Sequence, residues 1–456
     1  MLKAIVLVGF LLGMLVVLLC APVVSGAEED AKRRVLRGRW DVVFEMPQGA
    51  YETPVEFAIA ANGAVTATIL GPLGTFQVGN TSGRLDNDKL TLVAETSYGK
   101  LKLEATLDGD RLRGRWFHEG LVQRFFLNGE VRGLRNRAHV SPPPLEVFDA
   151  IWSHIERDFY TPDFNGVDAP TMRRRYRAQV AAARNDGEFL TLMRRMLGEF
   201  RTSHLDFFAT PSWNNEPAVN TSAPESITWR QLAPAVGYLR IESFADGPAV
   251  VALVDRAFAE LNRYPSLVID LRGNGGGTLT AAMRLGDYVF PQMQPVGYFT
   301  SRAGLTRHRA RSIDQLNPST LPVFSGYDSQ AFAREMQSKG ALMLATGGRA
   351  ERRYSGRVVV LIDENCFSAS EALAGVVKET RAATLIGRRT AGAMLSASPI
   401  PIAGGWTLLL PVWDFRTAKG VRVEGRGVEP DVTVKHGKRA DADIAAALEF
   451  LKTRGN

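Results

Sequence analysis

The sequence predicts an α/β protein with an N-terminal antiparallel β-barrel or sandwich domain, a helical segment and an α/β core. Three patterns support this prediction. Residues 34–133 alternate apolar and polar side chains between short turn sequences. Residues 146–208 repeat apolar side chains at helical spacing. Across residues 236–456, apolar strands alternate with amphipathic helices, which is typical of a largely parallel sheet.

The N-terminus, residues 1–27, has the pattern of a secretory signal peptide. Lys3 precedes a long apolar run that ends near Pro22, and small residues follow at a cleavage site near Gly26–Ala27. The alternative is an uncleaved anchor, because the apolar run is nearly long enough to span a bilayer. We expect an exported, periplasmic or extracellular protein that contacts a membrane only if this segment is retained. Cleavage would leave Cys366 as the single cysteine, so no internal disulfide is expected.

The composition favours an ordinary globular protein. The chain has 456 residues, a net charge of +7 and 45% apolar residues. Its densest basic patch, Arg173–Arg177, lies in a helical pattern and is interpreted as a solvated helix face, since a nucleic-acid site would need more basic or aromatic side chains. The sequence shows no cluster of metal ligands. We therefore expect no nucleic-acid partner, no metal and no cofactor.

The N-terminal β domain, residues 34–133, contains dipeptides that favour tight turns at residues 62–63, 108–109 and 128–129. Nothing in this domain indicates catalysis, so binding, docking and a purely structural role all remain open. Residues 134–145 include three consecutive prolines and are predicted to be a linker. A second linker is predicted at residues 209–235, after the helical segment.

The α/β core contains one long departure from its alternating pattern. Residues 303–353 interrupt the succession of strands and helices, and we expect an insertion there that lies over the functional site. On either side of it, an apolar strand leads directly into an unusual loop. The first strand runs into "RGNGGG", residues 272–277, and the second runs into "DENCFSASE", residues 363–371.

The second of these loops has two interpretations. Ser368 and Glu371 have the spacing of a capping box, which would make the serine a structural helix cap. Alternatively, a serine at a strand-to-helix turn projects its hydroxyl from the sheet, and the amide of Ala369 and the helix dipole can stabilise an oxyanion. The glycine loop could supply a second amide. It is not a phosphate loop, because no Lys-Ser/Thr pair follows its glycines.

Together, "VIDLRGNGGG", "SASE", "GVEPDV" and the helical "EFLTLMRRMLGEFRTSH" resemble the C-terminal-processing (tail-specific) serine peptidase family over roughly residues 145–434. The resemblance implies a ClpP/crotonase-like peptidase core. It also implies that Ser368 is the nucleophile and that the amides of Gly276 and Ala369 hold the oxyanion. Many members carry a PDZ domain, which cannot fit within residues 209–235.

The base departs from the better-known members of that family, which use a lysine about 25 residues after the serine. Ala393 occupies that place, and a methyl group cannot accept a proton. Histidine suits proton transfer near neutral pH. "TSH" resembles the tricorn-like branch, which implies that His204 is the base and that Ser203 orients it. The alternative is that His204 is an ordinary loop histidine.

The same resemblance implies that Glu424, in "VEGRGVEPD", supports the histidine, with Asp414 and Glu429 as alternatives. The sequence thus predicts an exported serine-type endopeptidase that acts on a protein or peptide through an acyl-enzyme intermediate. Two alternatives remain. Ala393 is compatible with a non-catalytic protein that binds peptides or apolar ligands, and the same acyl-enzyme chemistry would serve an esterase. The oligomeric state is not predicted.

Overall fold

The computed structural model describes residues 26–46, 49–71, 78–96, 99–119, 128–136, 142–210, 226–244, 248–348, 353–435 and 441–453. Most of the predicted signal peptide lies outside these residues. The chain forms two compact units, one from Met1–His139 with Pro211–Pro217 and the other from Val140–Thr210 with Ala218–Asn456. Among the described residues, no helix has the length and hydrophobicity that a membrane span requires.

The first unit is an eight-stranded barrel with a helix before it. Its elements are α1 (Gly26–Leu36), β1 (Gly38–Met46), β2 (Gly49–Ile59), β3 (Ala64–Ile69), β4 (Val78–Asp86), β5 (Lys89–Thr96), β6 (Gly99–Asp108), β7 (Arg111–Glu119) and β8 (Asn128–Arg135). Each strand pairs antiparallel with the next, and β8 closes on β1. Of the two architectures that the alternating pattern allowed, the barrel is the one formed.

Alternate residues of each barrel strand point inward, and most of them are apolar, although Thr53 and His118 are buried on the same face. Along β6, Leu101, Leu103 and Leu107 are buried, whereas Glu104 between them is exposed. Leu36 at the end of α1 joins the same core. The interior side chains are no more than 7% exposed, so this unit has a continuous hydrophobic core of its own.

One predicted turn of the barrel is wrong. Gly63 and Gly109 have positive φ in tight turns between strands, as their dipeptides predicted. Gly129, however, lies inside β8. A Cβ there would be 1.9 Å from the carbonyl oxygen of Glu45 and 2.9 Å from the ring nitrogen of Trp116. This glycine therefore serves close backbone packing and not a turn.

The second unit contains nine described helices and twelve described strands. The helices are α2 (Pro144–Asp158), α3 (Ala169–Val180), α4 (Asp186–Gly198), α5 (Pro248–Leu261), α6 (Leu279–Val289), α7 (Arg302–Arg307), α8 (Ser329–Lys339), α9 (Ala369–Thr380) and α10 (Ala442–Thr453). The strands are β9 (Asp206–Ala209), β10 (Ile227–Ala233), β11 (Val236–Ile241), β12 (Ser266–Asp270), β13 (Pro295–Ser301), β14 (Val323–Phe324), β15 (Ala341–Ala345), β16 (Arg357–Ile362), β17 (Thr384–Gly387), β18 (Ser396–Ile402), β19 (Trp406–Thr417) and β20 (Val432–Thr433).

The first sheet of this unit has the order β10-β11-β12-β16-β17-β20, and it is parallel from β11 to β20. Its central strand β12 is buried on both faces, as a continuous apolar run predicts. Leu267 packs with α5, α6 and α9 on one face, and Val268 packs with α10 on the other. β10 lies within the predicted linker 209–235. Of its seven residues only Ile227 is buried, so its apolar pattern is weak.

The second sheet has the order β14-β15-β13-β19-β18, and β9 also pairs with β19. Residues 303–353, expected to form an insertion, supply α8 and the strands β14 and β15. β15 is buried along its whole length. This segment therefore contributes strands to the second sheet, although it interrupts the alternation of strands and helices.

Candidate active site

Two loops meet at the carboxyl ends of the neighbouring parallel strands β12 and β16. The glycine loop, residues 271–277, follows β12, and the serine loop, residues 363–368, follows β16. Gly273 N–H donates to the Asp363 carboxylate at 2.9 Å, and Phe367 N–H donates to the Asn274 carbonyl at 3.1 Å. These bonds hold the two loops together at the sheet edge where α/β proteins bind ligands.

The serine loop contains a thiol and two nearby hydroxyl groups. The Cys366 thiol donates to the Leu271 carbonyl at 3.0 Å, and burial raises its pKa well above the usual value. A buried thiol of this kind is inert as a nucleophile. Ser370 is also fully buried, and its hydroxyl donates to the carbonyls of Phe367 at 2.7 Å and Asn274 at 3.0 Å. Both groups are therefore engaged in loop structure.

Ser368 differs from both because its backbone is strained and its side chain is partly exposed. Its φ is 54° and its ψ is −118°, a conformation that costs a non-glycine residue about 1–3 kcal/mol. The predicted capping box with Glu371 is wrong on the serine side, since the Ser368 hydroxyl caps no amide of α9 among the described residues. Capping serines have extended backbone angles, which Ser368 does not have.

Glu371 instead supports the neighbouring loop. Its carboxylate accepts hydrogen bonds from the Thr390 hydroxyl at 2.5 Å and from the amides of Gly392 and Ala393, each at 2.7 Å. Burial raises the pKa of Glu371, and these three hydrogen bonds oppose the rise. The Ala393 carbonyl in turn accepts from Ser368 N–H at 2.9 Å. The loop at residues 390–394 thus braces the backbone of Ser368.

A second buried carboxylate, Glu424, holds the segment that carries His204. Glu424 accepts from the Ser203 amide and the Ser203 hydroxyl, both at 2.8 Å. The Ser203 hydroxyl also lies 2.8 Å from His204 Nδ1. Its single proton is directed to the carboxylate, so it can only accept from His204. Nδ1 therefore carries the imidazole proton, and Nε2 keeps a lone pair that can accept one.

Ser368 and Glu424 both bond to a single peptide group, the one between Ala393 and Met394. Met394 N–H donates to Glu424 at 2.8 Å, and the preceding carbonyl, that of Ala393, accepts from Ser368 N–H. A continuous series of hydrogen bonds therefore joins Ser368, through residues 393–394, to Glu424 and Ser203. The structure brings together the serine and the support of the histidine from segments distant in the sequence.

The alternatives to Glu424 lie in other surroundings. Asp414 pairs with Arg416 at 3.1 Å and with Arg422 at 3.7 Å. The side chain of Glu429 is 67% exposed and faces Arg389 at 3.8 Å. Glu424 is the candidate that contacts Ser203.

Burial lowers the pKa of His204, and the negative charge of Glu424 partly offsets that effect. A lowered pKa keeps the imidazole neutral at and below neutral pH, which is the state that a base requires. His204 also has a positive φ of 57°. Both Ser368 and His204 thus adopt backbone conformations that side chains rarely occupy, as residues at functional sites often do.

The two predicted oxyanion donors, the amides of Ala369 and Gly276, differ in their hydrogen bonds. Ala369 N–H, at the start of α9, donates to no described residue. Gly276 N–H donates to Asn274 Oδ1 at 2.8 Å, a departure from the expected role, because the asparagine forms a local turn with the amide two residues later. A Cβ at Gly276 would lie 2.7 Å from Ser368 Cβ and 3.2 Å from Ala369 N. The glycine therefore leaves room beside the serine.

Comparison with known families matches the second unit twice. Residues 144–198 match the Tricorn protease C1 domain, and residues 235–434 match Peptidase family S41. The match to peptidase family S41 covers 200 of the 456 residues. The predicted relation to tail-specific and tricorn-like peptidases is thereby confirmed.

Curated relatives of this S41 domain include the chloroplastic C-terminal processing peptidase of Tetradesmus obliquus. It is 27% identical over 199 residues, which are 43% of this chain and 34% of the relative. The carboxy-terminal processing protease CtpB of Bacillus subtilis (strain 168) is 23% identical over 222 residues, 49% of this chain and 38% of the relative. The chain thus spans well under half the length of these relatives.

A solved structure of a candidate peptidase from Parabacteroides merdae ATCC 43184 shares the fold. It is 19% identical, has a TM-score of 0.51, and aligns with 69% of this chain and 98% of its own. Together with the described barrel, this likeness confirms the predicted fold class, a peptidase-like α/β core with a β domain before it.

Sequence reasoning missed several residues that shape the S41 site. Glu371 was considered only as a possible partner in a helix cap, yet it holds the loop that contains Ala393, where the resemblance expected a lysine. Asn274 was not singled out, although an asparagine two residues before a glycine could have indicated its turn. Nothing in the sequence indicated that Met394 N–H would contact Glu424, because that contact depends on tertiary structure alone.

Proposed function

We propose that this protein is an exported serine endopeptidase in which Ser368 is the nucleophile and His204 is its base. The observation that supports this most directly is the arrangement of Glu424, Ser203 and His204. Glu424 takes the hydroxyl proton of Ser203, Ser203 then accepts from Nδ1, and Nε2 is left as a proton acceptor. A histidine in this tautomer is what an acyl-transfer mechanism requires.

In the proposed reaction, Ser368 Oγ attacks the carbonyl carbon of the scissile peptide bond while its proton passes to His204 Nε2. The negative charge on the former carbonyl oxygen is stabilised by Ala369 N–H and by the N-terminus of α9. The tetrahedral intermediate collapses when the C–N bond breaks and His204 gives its proton to the leaving amine. Water then attacks the acyl-enzyme with the same base and restores Ser368.

Ser203 and Glu424 are positioning residues in this mechanism. Glu424 is 7% exposed and accepts three hydrogen bonds, so its position is fixed by the backbone amides of Ser203 and Met394 as well as by the hydroxyl. When His204 becomes an imidazolium, the nearby carboxylate stabilises its charge through Ser203. The arrangement requires no cofactor.

The substrate class follows from the family. The curated relatives are named as C-terminal processing peptidases, so we propose a protein or peptide substrate for this chain. The predicted signal peptide supports a reaction outside the cytoplasm, in the periplasm or the extracellular space.

The test is covalent labelling by a fluorophosphonate probe, which reacts with activated serines. The wild type and Ser370→Ala are expected to be labelled, and Ser368→Ala is expected to remain unlabelled. Ser370 is a matched control because it lies two residues away and its buried hydroxyl donates to the carbonyls of Phe367 and Asn274. Equal labelling of Ser368→Ala and wild type would refute the proposal.

A non-catalytic peptide-binding protein is the second candidate, because Ala393 replaces the expected lysine and Gly276 N–H is engaged by Asn274. This alternative predicts that the wild type resists labelling but binds peptides saturably. Peptidase activity that is lost in His204→Ala would exclude it.

A further inference from the structure

The strand β18 (Ser396–Ile402) begins two residues after Met394, whose amide contacts Glu424. It is the last strand of its sheet, and among the described residues it pairs with β19 alone. One edge of β18 is therefore open. Which backbone groups face that edge follows from the register and from the positions of three prolines.

In the hydrogen-bonded pairs of an antiparallel ladder, each residue donates its N–H to the partner strand. Proline lacks an N–H group, so it is excluded from these pairs. In the β18–β19 pairing, Ala397 lies opposite Pro411, Pro399 opposite Leu409, and Pro401 opposite Thr407. All three pairs contain a proline, and they alternate with proline-free pairs. They must be the non-hydrogen-bonded pairs.

The other side of β19 agrees with this assignment. Thr210 N–H donates to the Gly405 carbonyl at 2.7 Å in the β9–β19 register, so Thr407 and Leu409, two and four residues further along, also direct their backbone groups towards β9 and away from β18. The Pro411 carbonyl accepts from Tyr160 N–H at 3.0 Å, also away from β18.

The open edge of β18 consequently has an unusual composition. Residues 397, 399 and 401 direct their backbone carbonyl and nitrogen towards the open edge. Two of them are prolines, which have no N–H group to donate. The edge presents three carbonyl acceptors and one donor, Ala397 N–H. An ordinary edge strand would offer donors and acceptors equally and could pair with another copy of itself. This edge instead suits a partner that provides N–H donors from an extended backbone.

The edge begins close to the nucleophile. Ala397 follows Ala393, whose carbonyl meets Ser368 N–H, by four residues, so the two residues are within about 14 Å even if the chain is fully extended. The single outward donor is at the end of β18 that is nearest in the chain to Ala393, the residue bonded to Ser368 N–H. A short extended peptide can therefore pair with β18 and reach Ser368.

We propose that the open edge of β18 is the docking strand for substrate. The substrate adds to the sheet as an extended strand, in which alternate substrate amides donate to the carbonyls of Ala397, Pro399 and Pro401 and one substrate carbonyl accepts from Ala397 N–H. This inference rests on the proposed peptidase function. It implies selection against substrates that lack an N–H group, such as those with proline, at every second position along the docking strand.

The experiment uses the full chain and a fluorogenic decapeptide chosen because the wild type cleaves it from a random decapeptide mixture. Each backbone nitrogen of the peptide is methylated in turn. We expect kcat/KM to fall about three- to tenfold at alternate positions on one side of the cleaved bond, with small effects between them. A loss without this two-residue period would overturn the proposal.

Protein variants give an independent test. Ala397→Pro removes the only outward donor and is expected to raise KM for the decapeptide several-fold, while fluorophosphonate labelling of Ser368 keeps its wild-type rate. Pro399→Ala, which adds a donor to the same edge, is the matched control and is expected not to weaken binding. An unchanged KM in Ala397→Pro would contradict the docking strand. Absence of wild-type labelling would refute the peptidase function itself, so the two failures are distinguishable.

Discussion

The barrel and the candidate active site bury their residues for different purposes. In the barrel, most inward side chains are apolar, strands alternate regularly, and glycines such as Gly129 serve close packing. At the site, two carboxylates are buried and two non-glycine residues, His204 and Ser368, have positive φ. The difference indicates that local sequence patterns account for most of the barrel, whereas the candidate site contains strained backbone and buried carboxylates that such patterns do not predict.

The two regions are best compared by replacing one serine with glycine in the candidate site and one in the barrel. Ser368→Gly is expected to abolish peptidase activity, by at least about 10⁴-fold, because the nucleophile is removed. It should also maintain or raise the unfolding temperature, since glycine adopts a positive φ without the strain of about 1–3 kcal/mol.

The matched control is Ser82→Gly in strand β4 of the barrel, where the serine is exposed. Glycine in a strand is expected to destabilise by roughly 0.5–1 kcal/mol and to leave the labelling rate unchanged. Activity would be followed with a peptide substrate and stability by thermal unfolding. A lower unfolding temperature in Ser368→Gly than in the wild type would show that the strain interpretation is wrong.

The carboxylate that supports His204 should have the next largest effect. Glu424→Gln replaces one carboxylate oxygen by an NH₂ group. This donor would then face another donor, either a group of Ser203 (amide or hydroxyl) or the amide of Met394. Because the tautomer of His204 then loses its support, kcat is expected to fall by about 10²–10⁴-fold. The exposed Glu429 provides a control, since Glu429→Gln should retain wild-type kcat. Equal kcat for the two variants would exclude Glu424 from the site.

A substitution in the barrel should have the smallest effect on catalysis and a large one on stability. Phe57 is 2% exposed and packs edge-on against Trp40 at 6.3 Å between ring centroids. Phe57→Ala is expected to destabilise the barrel by about 3–5 kcal/mol and to change the labelling rate less than threefold in conditions where the barrel stays folded. A catalytic loss as large as that of Glu424→Gln would mean that the barrel participates in the reaction.

The regular features of the fold could be predicted from sequence because they depend on periodicity. The alternation in β6 and the continuous apolar run of β12 each follow from one local pattern. β10 was missed because an edge strand with exposed side chains resembles a linker. Gly129 was misassigned because its dipeptide favours a turn, whereas the close approach of Glu45 decides its conformation.

The candidate site was only partly predictable for a related reason. The resemblance to known peptidases supplied Ser368, His204, Ser203 and Glu424 as expectations. The hydrogen bonds among them join segments that are far apart in the sequence, such as Ser203 and Glu424. No local pattern indicates that Glu371 accepts hydrogen bonds from the loop at residues 390–393, because the spacing between Ser368 and Glu371 also fits a helix cap.

The central claim is that His204 accepts the proton of Ser368, and the pH dependence of labelling tests it most directly. The base must be neutral to act, so the labelling rate should fall as pH drops through the pKa of His204. Burial lowers that pKa, so the fall should be centred below the ordinary value of about 6.5, with a constant rate above neutrality. His204→Ala should label far more slowly and lose this dependence. An acid limb that is identical in His204→Ala, or one centred above about 6.5, would contradict the account.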